Sequence, residues 1–364
     1  MNRRELLAGV GAGALALGPV LARRTARGRS DVPDHVEDAY RNPVYERIFP
    51  DPDVLRVDGT YYAYGTYHPW KPGVGPEREL IPILRSPNLV DWEFVGPAFA
   101  EMPDWSRYRG LWAPGVGKLG NRILLYYSDA EFGAPNEGIG VATASDPTGP
   151  FEPRGGLFRT DNIGVPNSID PVLFEAKNGP VLFWGSRRGI YGVPLEDDGL
   201  SIAGGPDAKF RVAGDGVEAP YVVEREGDFY LFGSRGTCCR GARSTYRVVV
   251  GRAERLRGPY RNRAGERLTA ENATGTTILE GDERFAGPGH CAVVRDERGG
   301  WWMLYHAYER ANPWVEDTPR RVLMLDRIRW RNGWPVVGED GTPSATGQVP
   351  PVADRASERV GESE

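Results

Sequence analysis

Three short segments of the 364-residue chain set a carboxylic acid just ahead of proline: Pro50-Asp51-Pro52, Ile169-Asp170-Pro171 and Val217-Glu218-Ala219-Pro220. Two carboxyl groups flanking a glycosidic bond are the minimum equipment for its hydrolysis. One protonates the leaving oxygen, and the other, ionised, activates water or attacks the sugar. A third acid can keep the proton donor's pKa high by like-charge repulsion. With 50 acidic residues in the chain, any one of these would ordinarily be a turn or capping residue. What sets the three apart is their common place in a repeat. A residue before proline is pushed toward extended backbone, so Asp51 and Asp170 are expected to open strands.

The repeat occurs five times, at Phe49–Thr66, Leu111–Ser128, Ser168–Ser186, Val217–Ser234 and Gly289–His306. Each copy runs from a distinctive leading residue into a strand of about five residues, a charged or Gly-containing turn, and an aromatic-rich strand ending at Ser, Thr or His. The interval from leading to ending residue is 16 for Trp112–Ser128, Asp170–Ser186, Glu218–Ser234 and His290–His306, and 15 for Asp51–Thr66. Copies start 48 to 72 residues apart, which leaves room for a four-stranded blade and its loops. Radial repetition of such blades is a β-propeller, so the expected fold is all-β with five blades; a β-sandwich would not explain the recurring hairpin. Innermost strands of a propeller begin at one end of the central channel. Asp51, Trp112, Asp170, Glu218 and His290 should therefore converge on a shared pocket.

Composition agrees with many turns and short strands: 48 Gly and 31 Pro without a collagen-like or low-complexity period. A net charge of −5 argues against a nucleic-acid partner and suits a neutral sugar polymer. Arg3-Arg4, an uncharged stretch from Leu6 to Ala22 and then Arg23-Arg24 make a twin-arginine export pattern. That stretch is short and weakly apolar for a membrane span. The expected organisation is a signal segment at 1–28, a linker at 29–41, the propeller at 42–350 and a polar tail at 351–364. The mature protein is expected to be a monomer with no membrane span, extracellular or in the cell envelope. Three cysteines give no disulfide framework; adjacent Cys238 and Cys239 are either a vicinal disulfide or two thiols.

The three carboxylate segments resemble the motifs of glycoside hydrolase family 43. Cys238-Cys239-Arg240-Gly241, Ser244-Thr245-Tyr246, Val250-Gly251-Arg252, Leu111-Trp112-Ala113-Pro114, Gly287-Pro288-Gly289-His290 and Gly333-Trp334-Pro335 look like its endo-1,5-α-L-arabinanase branch. The resemblance covers roughly 42–350. It implies that Asp51 is the general base, Glu218 the general acid, and Asp170 the residue that orients the acid and tunes its pKa. It also implies hydrolysis with inversion of a plant-type polysaccharide or oligosaccharide, and carboxyls about 6.5–9.5 Å apart. Near His290 it implies a central ion, calcium with mostly water ligands; the other reading is a hydrogen-bonded channel histidine. Trp112, Ser186 and Arg240 are the candidate sugar-binding residues. Arg187 is either a sugar ligand or an ion-pair partner, and His306 is assigned to strand packing. Pro50 stands where arabinanases carry His, Gly115 where many relatives carry an acid, and Gly185-Ser186-Arg187-Arg188 replaces a Gly-Ser-Phe run. These departures keep exo-acting α-L-arabinofuranosidase and β-xylosidase activities open as alternatives. A non-catalytic carbohydrate-binding propeller is the alternative of another class.

Overall fold

The computed structural model describes residues 39–67 and 79–350. The expected signal segment, nearly all of the expected linker and the polar tail lie outside the described residues, as do residues 68–78. Among the described residues, no helix is long and apolar enough to cross a membrane.

The repeat does build five blades. The first is an antiparallel sheet of Asp53–Val57, Thr60–Tyr64, Leu80–Ser86 and Glu93–Phe99. The second contains Gly110–Leu119, Arg122–Ala130, Gly138–Ala144 and Glu152–Arg159. Val172–Ala176, Gly179–Trp184, Ile190–Pro194 and Phe210–Ala213 form the third; Glu218–Arg225, Asp228–Arg235, Arg247–Ala253 and Thr276–Leu279 form the fourth. The fifth combines Phe285–Arg295, Trp301–Glu309 and Val322–Arg331 with Tyr45–Ile48 from the other end of the chain. Tyr45 pairs with Leu323 and Ile48 with Val322, which closes the ring. Leading strands of neighbouring blades touch in sequence, and the fifth returns to the first.

Between blades the chain packs aromatic and branched side chains, as two facing apolar sheets must. Tyr64, Phe99, Leu111 and Tyr127 share one buried cluster between the first and second blades. Phe99 and Tyr127 meet edge to face at 5.2 Å. Near the axis the approach is closer still: a Cβ on Gly115 would lie 2.2 Å from the carbonyl oxygen of Pro171.

Where the repeats begin, the backbone departs from the extended form expected of a residue before proline. Asp51 (φ 55°), Ala113 (43°), Asp170 (62°), Ala219 (54°) and His290 (49°) all have positive φ. In the second, fourth and fifth blades the pairing register shifts at this point, the mark of a β-bulge. Positive φ on a non-glycine residue costs of order 1–3 kcal/mol and gathers at functional sites. The pattern also corrects the assumption that the five leading residues are equivalent. Asp51, Asp170 and His290 hold the positive-φ position itself, whereas Trp112 and Glu218 precede it by one residue.

The recurring Ser, Thr and His at the repeat ends acquire a reason here. The backbone N–H at each of these positions needs a partner. Ala113 N–H donates to Thr66 Oγ1 (2.8 Å), Asp170 N–H to Ser128 Oγ (3.0 Å), His290 N–H to Ser234 Oγ (2.8 Å) and Asp51 N–H to His306 Nδ1 (3.2 Å). The end of one hairpin thus holds the start of the next blade. His306, assigned from sequence to packing, is one of these links.

Candidate active site

All five leading residues line one cavity of about 300 Å³ at the bulged ends of the inner strands. Asp51 is nine-tenths buried and fully engaged. Its Oδ2 accepts the Thr66 hydroxyl at 2.7 Å, and its Oδ1 accepts Arg321 Nη1 at 2.7 Å. The Nδ1 atoms of His290 and His306 stand 3.4 and 3.3 Å from the same Oδ1. Burial by itself would raise this carboxyl. The Arg321 guanidinium and the two imidazoles outweigh burial and hold Asp51 well below the usual carboxylate range.

Glu218 is displaced the other way. Burial pushes its pKa up, opposed by hydrogen bonds from Ser186 and Tyr246 and by the Arg187 charge. Ser186 donates to Oε2 at 2.8 Å, and Arg187 Nε lies 3.8 Å from the same oxygen. Asp170 is raised further, by burial first and then by the charges of Glu218 and Asp51. Burial is the main lift on Glu218, ahead of the Asp51 charge.

Of the sugar-binding candidates, Trp112 lines the cavity and packs against the exposed Phe132 ring at 4.9 Å. Ser186 also lines it, with its hydroxyl committed to Glu218. Arg240 does not: it is exposed outside the cavity wall, and its backbone N–H is bound by Ser244 Oγ. The arginines at the cavity are Arg187, Arg188 and Arg321. Cys238 and Cys239 line the same wall, with sulfurs 2.6 Å apart.

Sequence reasoning missed Arg321, the partner of Asp51, and Glu137, a further buried carboxylate lining the cavity; Tyr246 entered only as part of a resemblance. The signal was positional. Each immediately precedes the third strand of its blade: Gly138–Ala144, Arg247–Ala253 and Val322–Arg331. A second ring of positions thus faces the axis beside the leading residues.

A calcium ion of the expected kind, beside His290, would draw nearly all of its ligands from water. Calcium takes six to eight oxygen ligands. His290 offers a nitrogen turned onto Asp51, whose Oδ1 already carries Arg321. Among the described residues, no three His, Cys, Asp or Glu side chains gather to hold a metal ion. No step below passes through one.

A propeller that gathers an ionised carboxylate and a raised one in an axial cavity defines the class as glycoside hydrolase. The model of glycosyl hydrolases family 43 matches residues 40–335, and the chain belongs to that family. It is 29% identical over 299 residues to the extracellular endo-α-(1→5)-L-arabinanase 1 of Bacillus subtilis, covering 78% of this chain and 86% of that one. It is 29% identical over 325 residues to the extracellular exo-α-(1→5)-L-arabinofuranosidase of Cellvibrio japonicus, covering 79% and 86%. Among solved structures, the α-L-arabinanase of Cellvibrio cellulosa complexed with arabinohexaose superposes with a TM-score of 0.70 at 27% identity, covering 81% of this chain and 96% of that one.

Proposed function

We propose that the protein is an exported, inverting endo-hydrolase of α-1,5-linked L-arabinan. The observation that carries this reading is the opposite displacement of two carboxyls in one cavity, Asp51 downward and Glu218 upward. Glu218 gives its proton to the glycosidic oxygen as the bond to the anomeric carbon breaks. Asp51 takes a proton from the water that attacks that carbon on the opposite face. One displacement leaves the anomeric centre inverted, Asp51 protonated and Glu218 ionised; exchange with solvent resets both. Asp170 orients Glu218 through the neighbouring backbone, where the Ala219 N–H binds the Asp170 carboxyl. Trp112 and Phe132 offer aromatic faces to a sugar ring. Arabinan as substrate is supported by the names of the relatives, and export by Arg3-Arg4 together with the extracellular location those names give.

The exo-acting relative favours a second reading, release of terminal arabinose. Product analysis on linear 1,5-arabinan, beside aryl α-L-arabinofuranoside and aryl β-xyloside, separates them. Short arabino-oligosaccharides support endo cleavage. Arabinose alone, or turnover of an aryl glycoside only, moves the protein to the exo branch. Inertness on all three would overturn the substrate assignment.

A further inference from the structure

A second cavity, of about 540 Å³, lies at the far end of the fourth-blade hairpin. Asp228, at its edge, sits at the turn opposite Arg225, whereas Glu218 pairs with Ser234 at the other end of the same strands. At 3.3 Å per residue the two cavities are separated by roughly 20 Å of strand.

Four arginines line this cavity: Arg252, Arg255, Arg261 and Arg263. Arg252 is neutralised by Asp228. Arg261 Nη1 donates to the Gly265 carbonyl at 2.7 Å, and the Arg263 guanidinium lies 5.5 Å from the Trp334 ring centroid. Among the described residues, Arg255, Arg261 and Arg263 form no ion pair with a protein carboxylate. Glu254 is the only other acid in the lining. The local balance is thus four positive groups against two negative, in a chain whose net charge is −5. The loop is also preorganised: Arg261 bridges both Arg252 and Arg267, and the Asn262 side chain is tied to Glu266 at 2.7 Å.

Guanidinium groups match the planar fork of a carboxylate, and an aromatic flank suits the apolar face of a sugar ring. The volume falls within the range of small-molecule sites. We propose that this cavity is a secondary binding site for uronic acid units of an acidic polysaccharide. It would hold the protein on carboxylate-bearing chains while the axial cavity works on a neutral one. Nothing in this depends on which neutral linkage is cut.

The test is affinity electrophoresis through gels containing polygalacturonate, with each mobility normalised to a polymer-free gel. Wild type and Arg255→Ala/Arg263→Ala are compared with Arg122→Ala/Arg154→Ala, which removes the same charge elsewhere. Retardation of the wild type is expected to fall at least threefold in the first variant and to persist in the second. A neutral arabinan gel should not distinguish wild type from the first variant. Turnover of the aryl glycoside that the enzyme accepts should stay within twofold, so failure here is separable from failure of the hydrolase reading. Absence of retardation would overturn the proposal. So would equal loss in both variants, or abolition by sodium sulfate at an ionic strength where sodium chloride has no effect, which would mark a generic anion site.

Discussion

Asp51 and Glu218 have opposite protonation requirements, and their surroundings supply them. The base must be ionised, so activity falls as pH drops through the lowered Asp51 pKa; the acid must be protonated, so activity falls as pH rises through the raised Glu218 pKa. A bell-shaped kcat/KM profile is expected. Arg321→Met removes the cation that holds Asp51 down and should move the acidic limb toward higher pH while leaving the basic limb in place. Asp51→Ala should reduce kcat by about 100- to 10,000-fold. Glu218→Gln should do the same on the polymer, but far less on an aryl glycoside whose leaving group needs no proton. If both substrates suffer equally, Glu218 is not the acid. Exhaustive chelation tests the ion expected near His290: lost turnover that added calcium restores supports it, and turnover within twofold of the untreated enzyme supports a channel histidine without metal.

At the scale of the elements, the positive-φ residue at the start of each inner strand decides where these side chains point. Gly115 lies just beyond one such position, against the third blade. Gly115→Ala would drive a methyl group into the Pro171 carbonyl and should cost about 1–3 kcal/mol, read as a lowered denaturant midpoint. This level also shows why the sequence was only partly legible. The hairpin interval was visible because turn length and strand length repeat in the chain. The ending residues Thr66, Ser128, Ser234 and His306 were visible as a pattern, but their task was not, since each reaches across to the start of the next blade. The one-residue offset of Trp112 and Glu218 was hidden because Pro after Asp51 and Asp170 argued for extended backbone. Arg321 was hidden for another reason: its partner lies 270 positions away, and no local pattern joins the two.

Over the whole molecule, closure by Tyr45–Ile48 brings the first and last parts of the repeat array together. It also sets Arg321, which immediately precedes Val322–Arg331, beside Asp51: the Phe49 N–H donates to the Arg321 carbonyl at 2.8 Å. Ring closure and assembly of the base are therefore one event. A variant lacking residues 39–48 should lose the cooperative thermal transition together with activity. Retention of a sharp transition near the original temperature would show that the fifth blade closes without this strand.

The most direct test of the acid–base account is the hydrolysis of linear 1,5-linked arabinohexaose followed by proton NMR from the first seconds. Water attacking opposite the departing oxygen must yield the β-anomer at the new reducing end before mutarotation. Early β signal from short oligosaccharide products is the expected result. An initial α signal would make one carboxylate a nucleophile and contradict the single displacement assigned to Asp51 and Glu218.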